Sequence, residues 1–493
     1  MKKELILNFI LTILISIFSF IQNKYLIKYM GIEILGMMKL FSELLVYLNI
    51  VELGLGSASA YALYKPLANN NYKQISIIIS TIENIYKKIG LTILILGFLC
   101  IPLISYFIEN PNIGNKIYLY WILYVLNTVI TYLYIKYIIL YTANQEFIFV
   151  RSVQSLSKII FQILQIIFII KYSSFLIYII FLILDSLSQF IFFKFHYKKK
   201  YSYIVKTSEK YNEIKTDIKN LFYHKIGSLI VFNTDLILIT KLVSLKFVGI
   251  YSSYLMIILA IKTFFNILRG VMYPRIGRYI AKNSKEKIYL TFKKLNILYL
   301  YMGLVITYST FILITDFIKI WIGKEYILSK NITILICISL YIFITRLVIG
   351  MYKEGSGFFD DTYLPLCEAC INFIVSLTLG IKIGLAGIII GTITSDILIM
   401  TIFRPILVFK RCFDKDIKEY IKVYGNYLIL LVISLFCLNI VTKPFIRENI
   451  NSWLDWIIYA TTISVITGVV LFIVFLLNKE FRNIIKVYLL KKK

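Results

Sequence analysis

Apolar runs long enough to cross a bilayer as a helix recur along almost the whole chain, and no other feature constrains its fold as much. A run of about 18 residues or more covers a hydrocarbon layer about 30 Å thick at the helical rise. Composition agrees with this reading, since 59% of the 493 residues are hydrophobic, more than one water-soluble core hides. The formal charge of +28 comes from basic residues between the apolar runs, not from one solvated basic face. A nucleic-acid partner is therefore not expected. The first run, Leu5 to Ile27, is longer than a signal-peptide core and has no small-residue cleavage site behind it, so it reads as a retained span.

Windows bounded by charge or turn clusters give about fourteen spans. The fold expected is all-α, a polytopic membrane protein of two six-helix lobes plus two C-terminal helices. The boundaries expected are 1–197 for the first lobe, 198–220 for a cytoplasmic connection, 221–410 for the second lobe, and 411–493 for the last two helices with a basic tail. Even-numbered loops carry the Lys and Arg excess, among them Lys198, Lys199, Lys200, Arg275, Arg278 and Lys282. By the positive-inside rule both termini are cytoplasmic, and the Lys, Ile and Asn excess with little Ala looks like the bias of an AT-rich bacterial genome, so a bacterial cytoplasmic membrane is expected. One loop dissents, because Lys353 to Asp361 contains Glu354, Asp360 and Asp361.

The halves resemble one another. Tyr25-Leu-Ile-Lys-Tyr-Met-Gly-Ile-Glu-Ile-Leu-Gly36 is similar to Leu238-Ile-Thr-Lys-Leu-Val-Ser-Leu-Lys-Phe-Val-Gly249, an offset of 213 positions. Asp185 and Asp396 stand at a similar offset. Transporters are commonly built from such repeats, and six spans per repeat require both halves to insert with the same orientation.

No resident cofactor or metal is expected. The six cysteines and the two histidines, His196 and His224, form no spaced ligand set, and Cys367-Glu-Ala-Cys370 reads as one helical turn of small packing residues. The phosphate loop of ATPases is missing, and no outward loop is long enough to hold a glycosyltransferase site. The reading is a transporter, not an enzyme.

Ionisable groups at mid-bilayer cost about 2.5–3.5 kcal/mol on insertion scales, so they face a cavity or one another. Here they fall in stripes at helical spacing. The first span carries Asn8, Thr12, Ser16, Ser19 and Asn23, the fifth Arg151, Gln154, Lys158, Gln162 and Gln165, and the eighth Lys262, Asn266 and Arg269. Lys136, Lys158, Lys225, Lys262, Arg269, Arg346 and Arg404 all fall in the cytoplasmic half of their spans, where a basic cavity would attract an anionic substrate and a guanidinium suits phosphate, although Lys136 and Arg404 read as snorkelling to the interface. The competing reading is that such side chains near helix ends snorkel to the interface and only report topology. Glu52 and Asp235 are candidates for gating or ion coupling, against a structural role as buried partners of nearby bases.

Three stretches carry a family resemblance: Tyr29-Met-Gly-Ile-Glu-Ile-Leu-Gly36, Leu48-Asn-Ile-Val-Glu-Leu-Gly-Leu-Gly-Ser-Ala58 and Tyr64-Lys-Pro66. With the length and span count they resemble the bacterial polysaccharide flippases, which move O-antigen and capsule repeat units, of the multidrug/oligosaccharidyl-lipid/polysaccharide exporter superfamily. The resemblance implies two six-helix lobes around a cavity, alternating access, and an undecaprenyl-diphosphate-linked oligosaccharide carried to the outer leaflet. It also implies membrane lipids, a polysaccharide polymerase and chain-length proteins as partners. Lys262, Arg269 and Arg346 are then expected on the diphosphate, with Lys158, Lys225, Asn8 and Asn23 around the substrate. The alternatives are a cation-coupled multidrug exporter of the same fold and a membrane glycosyl- or phosphotransferase.

Overall fold

The computed structural model describes residues 2–52, 55–108, 114–209, 211, 234–358, 361, 363–447 and 450–490. Among them the secondary structure is helical throughout, and eleven helices are long and apolar enough to span a membrane. A pair bent by 48°, Tyr72–Leu99 (α4) and Ile101–Phe107 (α5), is long and apolar enough only when the two helices are taken together. Pro102 sits at the start of α5, where its missing N–H and its ring prevent α4 from running on.

Of the two remaining expected spans, one is broken and the other lies mostly outside the described residues. The expected second span appears as Ile32–Leu48 (α2), a 3-10 turn Asn49–Glu52, and Leu55–Ala68 (α3). The expected seventh is described only over Asp235–Leu242, which is α9. Lys225 and His224 lie outside the described residues, as does the side chain of Asn8.

The chain divides into two compact units, Met1–Gly249 and Ile250–Lys493. The first contains Lys2–Met30 (α1), α2 to α5, Lys116–Ala143 (α6), Phe147–Tyr172 (α7), Phe175–Lys200 (α8) and α9. Helix α1 packs on α7, and α6 packs on both α4 and α8. Ser19 of the polar stripe on α1, and Gln22 beside the stripe, meet the polar stripe on α7. Gln22 Nε2 donates to Gln165 Oε1 at 2.5 Å, Gln162 Nε2 to Ser19 Oγ at 2.9 Å, and Gln165 Nε2 to the Tyr178 carbonyl at 3.0 Å. Polar groups at membrane depth hydrogen-bond across helices because lipid offers them nothing.

Two features fix the edges of this unit. A Cβ placed on Gly36 would lie 2.2 Å from the carbonyl oxygen of Leu245, and one on Gly249 would lie 2.2 Å from that of Ile32. Both pairs are related by the repeat offset, so the backbone of α2 meets a stretch of like sequence as if in a mirror of roles. Small residues permit this approach. At the opposite end of the unit, the chain leaving α8 lies extended along α4. The backbone N–H groups of Val205, Thr207 and Tyr211 donate to Ser76 Oγ, Ser80 Oγ and Thr81 Oγ1 at 3.1, 3.1 and 3.0 Å. Tyr203 packs on Tyr72 with ring centroids 4.3 Å apart.

The second unit begins in Leu245–Lys282 (α10) and continues through Lys285–Trp321 (α11), Lys330–Gly355 (α12), Tyr363–Ile383 (α13) and Leu385–Ser395 (α14). A π-helical segment, Asp396–Phe403, leads into Arg404–Phe413 (α15), followed by Ile417–Thr442 (α16), Trp453–Phe475 (α17) and Lys479–Leu490 (α18). Its most extensive packing is the α13–α14 hairpin, and α11 touches α12, α17 and α18. The core at one end is an aromatic cluster of Phe292, Tyr352, Phe409 and Phe413, all buried.

The π segment has a local cause. Proline at 405 has no N–H for the carbonyl of Thr401, and the hydroxyl of Tyr420 on α16 donates to that carbonyl instead, at 2.7 Å. The helix is therefore free to widen just before Pro405, and π turns of this kind recur at functional sites.

Candidate functional site

Helix α10 carries Lys262, Asn266 and Arg269 at steps of four and three, on one face. Only 11% of its apolar window is buried inside the structure, the smallest share of the eleven spans. Across from it, α12 supplies Phe343 and Arg346. The Lys262 ammonium lies 5.0 Å from the Phe343 ring centroid and the Arg346 guanidinium 5.5 Å from it, so one aromatic ring gathers two of the expected phosphate ligands. Arg269, two turns along α10, reaches both carboxylate oxygens of Glu354 at the end of α12, at 2.5 and 2.6 Å. Of the three basic residues expected on a diphosphate, Lys262 and Arg346 thus share one ring, while Arg269 stands two turns further along α10 against Glu354.

Each arginine in this seam has a carboxylate partner. Arg346 bonds Asp396, the first residue of the π segment, and stands 3.9 Å from Glu368 on α13. Asp361 lies between Lys353, which it bonds, and Arg404, whose Nε is 3.7 Å away. This accounts for the acidic loop that departs from the positive-inside pattern: Glu354 and Asp361 serve basic residues of their own unit, while Asp360 lies outside the described residues. Removing one member of such a buried pair is costly, because the other charge is left in a medium of low dielectric.

In the first unit, Glu52 closes the 3-10 break between α2 and α3. It accepts hydrogen bonds from Tyr132 at 2.8 Å and from Tyr86 at 3.5 Å, and Tyr132 also reaches Asn49 at 3.0 Å. The break frees backbone groups at membrane depth, and these side chains hold its geometry. Asn23 is buried, while Lys158 is exposed on α7. Asp235 begins α9, which packs on α2, and its charge is felt by Glu43 and Tyr47 there. Lys158 and Glu43 in turn both act on Lys39.

Several members of these clusters escape a sequence reading. Glu43 stands four residues after Lys39, a spacing that signals an i,i+4 ion pair. Phe343, Tyr86 and Tyr132 carry no such signal, since an aromatic residue in an apolar span reads as packing.

No family model and no curated protein matches the sequence. Solved structures do. The chain is similar to a lipid II flippase, MurJ, in an inward closed conformation, with 16% identity over 94% of this chain and 98% of that one, at a TM-score of 0.69. It is also similar to an inward-facing multidrug resistance MATE family transporter of the MOP superfamily, with 12% identity over 78% of this chain and 92% of that one, at a TM-score of 0.56. At these identities the likeness shows the fold, and the fold is that of these two membrane proteins.

Proposed function

We propose that this chain is a flippase that moves an undecaprenyl-diphosphate-linked oligosaccharide from the inner to the outer leaflet of a bacterial cytoplasmic membrane by alternating access. The observation that supports the reading is the meeting of Lys262 and Arg346 at the Phe343 ring, with Arg269 two turns further along the same face of α10. A diphosphate needs several cations at close quarters and rewards the planar fork of arginine. The oligosaccharide needs hydrogen-bonding groups, for which Asn8, Asn23, Lys158 and Lys225 are proposed, and the prenyl tail stays in lipid. A fold shared with a lipid II flippase supports the same class of cargo.

The internal carboxylates give the cycle its logic. Glu354 holds the Arg269 fork and Asp396 holds that of Arg346, so the guanidinium groups are not left bare in the membrane when no substrate is present. An arriving diphosphate exchanges with these carboxylates, and its departure restores them. Glu52, set in the break of a discontinuous helix, is proposed to take part in gating or ion coupling, with Asp235. The protein moves its cargo without transforming it, and a polymerase with chain-length proteins would receive the product on the far side. The charge asymmetry of the loops supports cytoplasmic ends for the chain.

The test is transport of a fluorescent prenyl-diphosphate glycan by the whole chain in proteoliposomes. Lys262→Gln, Arg269→Gln and Arg346→Gln should each lower the rate about tenfold or more, the range for losing a charge-assisted contact. Normal transport by all three, at wild-type protein levels, would refute the assignment. A cation-coupled drug exporter of the same fold is the second reading, favoured by the Glu52 cluster and its tyrosines. That reading requires the chain to raise drug resistance in a pump-deficient host, and Glu52→Gln to abolish the effect.

A further inference from the structure

Between the end of α12 and α15 lies a cleft lined by Lys353, Phe358, Asp361, Arg404, Leu407, Val408 and Arg411. Its lining carries three cations and one carboxylate. Asp361 is buried and bridges two of the cations, bonding Lys353 and standing 3.7 Å from Arg404. That distance is an ion pair but no hydrogen bond, and Nε of Arg404 is buried without a hydrogen-bond partner. The third cation, Arg411, is exposed at the mouth, its guanidinium 5.7 Å from the Phe358 ring.

A buried guanidinium donor without an acceptor calls for one, and the local surplus of positive charge says that it is anionic. Asp361 sits where such an anion would, between Lys353 and Arg404. The lip of the cleft is apolar: Leu407 and Val408 form one wall, and Phe403, one turn before Leu407, is 53% exposed. By the charge asymmetry of the loops this end of α12 is cytoplasmic, and basic pockets between spans on that side suit phosphate headgroups.

We infer that this cleft is a second anion site, beside the Phe343 ring of the α10–α12 seam and not on it, that takes a phosphate group at the inner leaflet, with Asp361 as the internal occupant it displaces. The apolar lip points to the phosphodiester of an anionic glycerophospholipid as the source, and a soluble phosphate has the same headgroup chemistry. Arg404 and Lys353 hold the phosphate oxygens once Asp361 withdraws, and Arg411 draws the headgroup in from the mouth.

The experiment is native mass spectrometry of the whole chain released from detergent after exposure to phosphatidylglycerol, phosphatidylcholine or inorganic phosphate. The wild type should retain phosphatidylglycerol in clear preference to phosphatidylcholine. Arg411→Gln, at an exposed position that does not endanger folding, and Arg404→Gln should each lower that retention about tenfold, as expected for a lost phosphate contact. Asp361→Asn, which removes the competing charge, should raise it. Inorganic phosphate that fails to displace the lipid identifies the lipid as the ligand, and displacement at millimolar levels identifies a soluble phosphate. The inference is overturned if neither phosphate probe is preferred over phosphatidylcholine, if both arginine variants retain the lipid like the wild type, or if Asp361→Asn weakens binding.

Discussion

Gly36 and Gly249 have no room for a side chain, since a Cβ on either would sit 2.2 Å from a backbone oxygen. Backbone cannot yield as the end of a flexible side chain does. Alanine at either position should therefore separate the two segments at a cost of about 1–3 kcal/mol, the range for overpacking. Thermal unfolding in detergent would show this as a lower midpoint for each single variant, and an unchanged midpoint would mean the approach is not needed. A second residue, Glu146, reports on pH. Burial alone would raise its pKa, but hydrogen bonds from Lys200 at 2.5 Å, Tyr201 at 2.5 Å and Asn144 at 2.6 Å outweigh burial and hold it below the ordinary carboxylate value. A depressed carboxylate stabilises the fold above its unfolded pKa and loses that contribution as pH falls through the folded value. The stability advantage of wild type over Glu146→Gln should thus be full at neutral pH and vanish on acidification, and an advantage that persists in acid would contradict the network.

At the level of elements, what the sequence reveals depends on whether the cause is local. Span positions follow from apolar length alone, and the bend between α4 and α5 follows from Pro102. The break at Asn49–Glu52 is not readable in this way, because the apolar window runs straight through it and Tyr132 and Tyr86, from distant helices, hold Glu52 there. The π segment is half readable. Pro405 announces a disturbed ladder, but Tyr420 as the replacement donor is known only from the packing of α16. Tyr420→Phe should leave the Thr401 carbonyl unsatisfied at a cost of about 1–3 kcal/mol. For a unit of this size the unfolding midpoint should fall by about 2–4 °C for each kcal/mol lost. A midpoint equal to wild type would show that another group takes the carbonyl.

For the whole molecule, the α-helical membrane fold is visible in the sequence because it is written as long apolar runs. The candidate site was visible only as a set of misplaced charges. Lys262, Arg269 and Arg346 stand out because lipid is a poor home for them, but the sequence does not say which carboxylate neutralises which base. That pairing depends on long-range packing: Arg269 finds Glu354 across 85 positions and Arg346 finds Asp396 across 50. The polar stripe of α1 shows the opposite outcome. It looks like a cavity wall, yet Ser19 donates to the Ile15 carbonyl of its own helix and accepts from Gln162 on α7, and Gln22 beside the stripe donates to Gln165 there.

The extended chain after α8 meshes with α4 like a toothed belt on a wheel. Two extended residues advance about as far as four helical ones, which is why Val205 and Thr207 find Ser76 and Ser80 in step. Such a belt tolerates change in its outward teeth, the exposed Lys206 and Ser208, and none in its length. One residue added or removed at 206 would part Val205 and Thr207 from the spacing of Ser76 and Ser80.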